Sequence, residues 1–85
     1  MSVIDQAAAM PSMPLALAAP GQPLRLAGIE GGRTMRQRLT SMGLHGEVPL
    51  EVVSHTRGGP VILAVNGTRI MVGRGMAHRI RVRPA

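Results

Sequence analysis

The sequence predicts a mainly β protein: a small closed barrel of about five short strands with one short inserted α-helix. Three observations predict it. Apolar and polar residues alternate around Leu24–Leu26, Val48–Val52 and Ile80–Val82, which is the period of a half-buried strand. Asn66-Gly67 separates two apolar runs with the dipeptide most typical of a tight hairpin. The period changes at Met35, Leu39 and Met42, whose i, i+4, i+7 spacing marks one face of a helix. An open sheet of such short strands would leave a face uncovered, so closure is the expected solution.

Residues 1–14 are rich in Ala and Met and end in the Pro-bracketed PSMP. They read as a flexible extension, and residues 15–85 as the barrel domain. Removal of Met1–Met13 is therefore expected to leave the fold intact. Leu15–Pro23 has room for one helical turn before Pro20-Gly21 bends the chain, with Leu15 and Leu17 expected on the core. The stretch LRLAGIE follows as the first full strand, with Gly28 permitting a bulge.

Gly31-Gly32 ends that strand and the helix begins. Thr34 and Gln37 have the spacing of a capping box. The helix is short, roughly two turns, and depends on docking its Met35/Leu39/Met42 stripe on the sheet. Gly43 falls where a helix needs a left-handed residue beyond its last turn. Leu39 and Leu44 then have the spacing of the apolar pair in a Schellman motif. Gly46 allows a second sharp turn into the strand EVPLEVVSH, where Pro49 argues for an edge position or a bulge. PVILAVNG and TRIMVG form the hairpin, turning at Asn66 and Gly67. RGMAHR suits a single helical turn. Ile80 and Val82 face inward on the last strand, with Arg79, Arg81 and Arg83 facing out.

The chain carries ten Arg, no Lys and four acids, a formal net charge of +6 over 85 residues. Such a balance suits an anionic partner: nucleic acid, head groups or an acidic protein face. There is no Cys, which excludes disulfides and thiolate metal sites, and no Phe, Tyr or Trp. The core must be aliphatic. The N-terminal stretch lacks the basic region of a signal peptide, and no apolar run approaches the roughly 20 residues of a membrane span. A cytoplasmic location is expected.

No carboxylate pair or Ser-His-acid set has recognisable spacing, so an enzyme is not expected and no catalytic residue is assigned. No cofactor is expected. His45, His55 and His78 stand alone in sequence, and core packing accounts for Met35, Met42, Met71 and Met76, so no metal site is assigned either. Arg rows on the helix and last strand could hold RNA or single-stranded DNA by phosphate contacts. The absence of aromatic side chains removes the usual base-stacking platform.

The segment RLTSMGLHGEV (Arg38–Val48) resembles the R-L-x-x-M-G-L-x-x-G signature of the FeoA family. Gly46 follows Leu44 at a spacing one residue shorter than the signature, which implies a shortened turn. GIEGG, the Gly59-Pro60 start of the hairpin and the order Ala77, Ile80, Val82 extend the resemblance to about Leu15–Val82. It implies an SH3-like barrel. It also implies a small non-enzymatic partner of a FeoB-type membrane GTPase in bacterial ferrous iron uptake, recruited to the inner membrane through that transporter. The same barrel is similar to the C-terminal domain of DtxR-type repressors. The alternative is a small basic barrel binding RNA or single-stranded DNA. On the accessory reading, the docking surface is expected to combine Arg36 and Arg38 with the corner at Leu44 and His45, with Gly43, Gly46, Asn66 and Gly67 as structural turns.

Overall fold

A computed structural model describes residues 11–85. A two-residue strand β1 (Met13–Pro14) runs into a 3-10 turn (Leu15–Leu17). Then come β2 (Leu24–Ile29), α1 (Arg33–Ser41), β3 (Pro49–His55), β4 (Val61–Val65) and β5 (Thr68–Val72). A one-turn helix α2 (Arg74–Ala77) and β6 (Ile80–Pro84) complete the fold. The strands pair antiparallel in the order β1-β6-β2-β3-β4-β5.

The fold class is the expected one, an SH3-like, barrel-like arrangement that is mainly β, but the ladder is not closed. No pairing joins β1 to β5. β1 is only two residues long, and the 3-10 turn packs against α2 and β6 beside it. Aliphatic packing by these short elements covers the face that further strand pairing would otherwise close. The sheet also begins before the expected boundary at residue 15. Met13 lies opposite Val82 and Pro14 opposite Arg81. The first ten residues, part of the expected flexible extension, lie outside the described residues.

The core is aliphatic throughout. Leu24, Leu26, Leu39, Leu44, Val52, Leu63, Val72, Ile80 and Val82 are buried together, and no polar side chain among the described residues joins them. The described methionines lie outside this centre: Met13, Met35 and Met76 pack at its margin, while Met42 and Met71 are exposed. The last two were expected inside. Met71 lies on the outward side of the β4–β5 hairpin, between inward-facing Ile70 and Val72. Met42 is the C-cap of α1 with φ −89° and ψ 2°, so the helical stripe stops at Leu39.

Leu44 takes the place Met42 was expected to fill. Its N–H donates to the Leu39 carbonyl at 3.0 Å, and the Gly43 N–H donates to Thr40 at 3.0 Å. Gly43 has φ +101°. This is the Schellman arrangement, and it buries Leu39 and Leu44 side by side. The other end of α1 departs from expectation. Gly32 is the N-cap and makes no side-chain capping bond. Thr34 is already inside the first turn, too late to cap it, so the Thr34/Gln37 capping box does not form.

Two further expectations change for geometric reasons. Leu15 is buried but Leu17 is 69% exposed. A 3-10 turn repeats every three residues, so Leu15 shares its face with buried Ala18 rather than with Leu17. Pro49 opens β3, an interior strand between β2 and β4, where a first residue without an N–H is tolerated. The β3 bulge lies instead at Val53, between the Val52–Leu63 and Ser54–Ile62 pairs. A second bulge, at Ala27 beside Gly28, bends β2 along β6.

Gly43→Val is expected to lower stability by more than about 1 kcal/mol in chemical denaturation, because a β-branched residue is strained at this φ. An unchanged midpoint would mean that the corner tolerates another backbone. Deletion of residues 1–14 removes β1 and is expected to lower the melting temperature measurably. A full-length melting temperature in the truncated chain would show β1 to be dispensable.

Candidate partner-docking surface

Helix α1 carries five exposed residues on one face. Arg33, Arg36, Gln37 and Thr40 follow the i, i+3, i+4, i+7 spacing and, with Ser41, line a shallow trough. Arg36 and Thr40 also border a groove of about 220 Å³ between α1, β2 and the corner, with Leu26 and Ile29 on its floor and His45 on its rim. The helix is held in place by Leu39 and Leu44, so these polar residues stand on a fixed element. Gly46, at φ +59°, turns the chain past His45 into β3. The Val48 N–H closes that turn on the His45 carbonyl at 3.3 Å.

The four residues expected to form a docking surface do not all come together. Arg36, Leu44 and His45 line the same groove. Arg38 follows Arg36 by two residues, roughly 200° around the helix, and lines neither depression. Leu44 has no exposed surface and serves as framework beneath His45. Arg33 and Thr40 complete the face instead. Their i, i+3 and i, i+4 spacing from Arg36 is legible in the sequence, on the face away from the apolar stripe.

The electrostatics of α1 are unusual for a helix start. No acidic residue lies in its first turn, and Arg33 is its first residue. Both Arg33 and Arg36 therefore stand near the positive end of the helix dipole, where an anion is favoured. The described acids Glu30, Glu47 and Glu51 form one salt bridge, which goes from Glu47 to Arg83. Among the described residues, Arg33 and Arg36 have no carboxylate partner.

The row of Arg79, Arg81 and Arg83, expected to be uniformly outward and available, is mostly committed. Arg81 is half-buried and donates to the Ser12 carbonyl at 2.8 Å and to the Ser12 hydroxyl at 3.1 Å. Arg83 pairs with the Glu47 carboxylate, and Arg25 donates to the Glu47 carbonyl at 3.2 Å. Arg25 lies directly opposite Arg83 across β2 and β6. Glu47 thus relieves a like-charge cross-strand pair.

The histidines do not assemble. His45 is on the corner, while His55 and His78 border another pocket beyond the far end of β3. The His55 Nε2–H donates to the Ala18 carbonyl at 2.7 Å and tethers the strap before β2. Among the described residues, no three His, Cys, Asp or Glu side chains gather as a metal-binding group.

Residues 13–84 match the FeoA domain family. The chain is 39% identical over 72 residues to a protein of Methanocaldococcus jannaschii named "Putative Fe(2+) transport protein A", covering 85% of this chain and 87% of that one. A crystal structure described as an iron uptake regulatory protein (FeoA) superposes with a TM-score of 0.81 at 36% identity. The match covers 88% of this chain and all of that one. A manganese-dependent transcriptional repressor also superposes with a TM-score of 0.81, at 21% identity over 88% of this chain and 42% of the repressor. That last likeness is one of fold.

Glu47→Gln is expected to lower stability by about 0.5–1 kcal/mol at low ionic strength, because Arg25 and Arg83 then face each other unrelieved. The loss should shrink in high salt as the repulsion is screened. Urea denaturation at two salt concentrations measures both. A salt-independent loss would assign the role of Glu47 to local turn structure rather than charge.

Proposed function

We propose that this chain, which belongs to the FeoA family, is a non-enzymatic accessory protein of ferrous iron uptake that docks on the cytosolic part of a FeoB-type GTPase transporter. The names of its relatives, an Fe(2+) transport protein and an iron uptake regulatory protein, support the process. Among the described residues no helix is long and apolar enough to cross a membrane, so work at a transporter calls for contact with a partner. On this reading the protein acts in the cytoplasm and reaches the inner membrane through the transporter.

The observation that carries the docking site is the conflict at the start of α1. Two arginines with no acidic neighbour in the turn disfavour the helix by about 0.3–1 kcal/mol each. Local rules broken without an internal compensation are characteristic of functional surfaces. Carboxylates on a partner would supply the missing compensation. They would accept forked bonds from Arg33 and Arg36 and sit at the favourable end of the dipole. The adjoining groove would take an apolar partner side chain over Ile29, beside His45. Phosphate binding along β6 gains nothing from the structure, since Arg81 and Arg83 are already engaged.

The double variant Arg33→Glu/Arg36→Glu is expected to abolish transporter-dependent iron uptake and pull-down of the transporter's soluble GTPase domain. Its melting temperature should stay level or rise, because acids suit the first turn. Arg38→Glu should matter much less. If the double variant is folded and still supports uptake, α1 is not the docking element. If only Arg38→Glu fails, the contact lies on the other side of the helix.

A further inference from the structure

A second basic depression lies beyond the opposite end of β3, separated from the His45 corner by the length of that strand, roughly 20 Å. It has a volume of about 270 Å³ and is bordered by Ala16, His55, Arg57, Gly58, Arg74 and His78, among others. No acidic side chain among the described residues borders it. The net charge of the whole chain does not require this concentration. Four basic side chains from three separate elements border one concavity, and Arg57 and Arg74 have no carboxylate partner among the described residues.

The surroundings are braced. The turn carrying Arg57 is closed by the Gly59 N–H on the Thr56 carbonyl at 2.7 Å and by the Thr56 N–H on the Pro60 carbonyl at 3.1 Å. Gly58 holds φ +71° there. A guanidinium nitrogen of Arg74 lies 4.0 Å from where a β-carbon on Gly58 would stand, so Arg74 reaches across to the turn. Buried Ala77 anchors α2, which presents Arg74 and His78 to the depression. His55 is fixed by its Nε2–H bond to Ala18, leaving Nδ1 as its remaining polar atom.

We propose that this depression binds a phosphate-type oxyanion, held by the guanidinium forks of Arg57 and Arg74 with the imidazoles of His55 and His78 beside them. Convergent arginine donors match the tetrahedral, multiply charged geometry of a phosphate. The volume exceeds what a bare phosphate ion needs, so a small phosphomonoester would also enter. Nothing in this assignment draws on the α1 surface, and the two sites can be tested separately.

The test is an amide-resolved NMR titration of the full chain at constant ionic strength, with inorganic phosphate and glycerol 3-phosphate as probes and chloride as the control. Both probes are expected to give saturable shifts centred on Ala16, Gly58, Gly59 and His78, and the tighter of the two identifies the source of the phosphate. Arg57→Gln and Arg74→Gln should each weaken binding about tenfold, as expected for loss of a charge-assisted donor. Arg69→Gln, on exposed β5, should leave it unchanged. Shifts that grow without saturation, that centre on Arg33 and Arg36, or that survive in a folded Arg57→Gln/Arg74→Gln double variant would overturn the proposal.

Discussion

The hydrogen bond from the Leu44 N–H to the Leu39 carbonyl closes the corner that seats Leu39 and Leu44 in the core, and those two side chains anchor the helix. α1 has one fully buried residue of its own, Leu39, and a nine-residue helix cannot persist alone. By folding back, Leu44 adds a second buried leucine at the same place and fixes the direction in which the chain leaves for β3. Gly43 makes this possible through its positive φ. The positions of Arg33, Arg36 and His45 all follow from this corner.

The aliphatic core makes that dependence sharper. No aromatic ring bridges distant elements, so each element contributes its own Leu, Ile, Val or Ala to a shared centre. The 3-10 turn supplies Leu15 and α2 supplies Ala77, while β1 adds Met13 at the margin. Short elements suffice because each has one or two inward residues to place. The sheet can therefore stay open between β1 and β5, its uncovered side filled by a turn and a helix rather than by a ladder.

Charge is distributed with similar separation. The β6 arginines are engaged in the structure itself: Arg83 with Arg25 at Glu47, and Arg81 at Ser12. Of the arginines without a carboxylate partner among the described residues, Arg33 and Arg36 meet at the start of α1 and Arg57 and Arg74 at the far end of β3, while Arg38, Arg69 and Arg79 stand singly. A basic composition thus resolves into one structural network and two surfaces suited to anionic partners. The first surface is the proposed docking face, and the second is independent of it.

The sequence by itself determined the local geometry. Alternation placed Leu24, Leu26, Leu50, Val52, Ile80 and Val82 inside, Asn66-Gly67 made a two-residue hairpin with both residues at positive φ, and the Leu39–Gly43–Leu44 spacing specified the corner. These features depend on neighbours a few residues apart, so pattern alone suffices. Only the tertiary structure decided that Met13 pairs with Val82, that Leu17 and Met71 face outward, and that Glu47 takes Arg83. It also decided that His45 meets Arg36 across one groove, whereas the i, i+3 spacing already placed Arg33 rather than Arg38 on the Arg36 face. Partners distant in the chain meet through strand register and helix phase, and a one-residue change in either turns a side chain to another face. The composition of the candidate docking surface was therefore only partly legible, since a helix face has neighbours that its own sequence does not name.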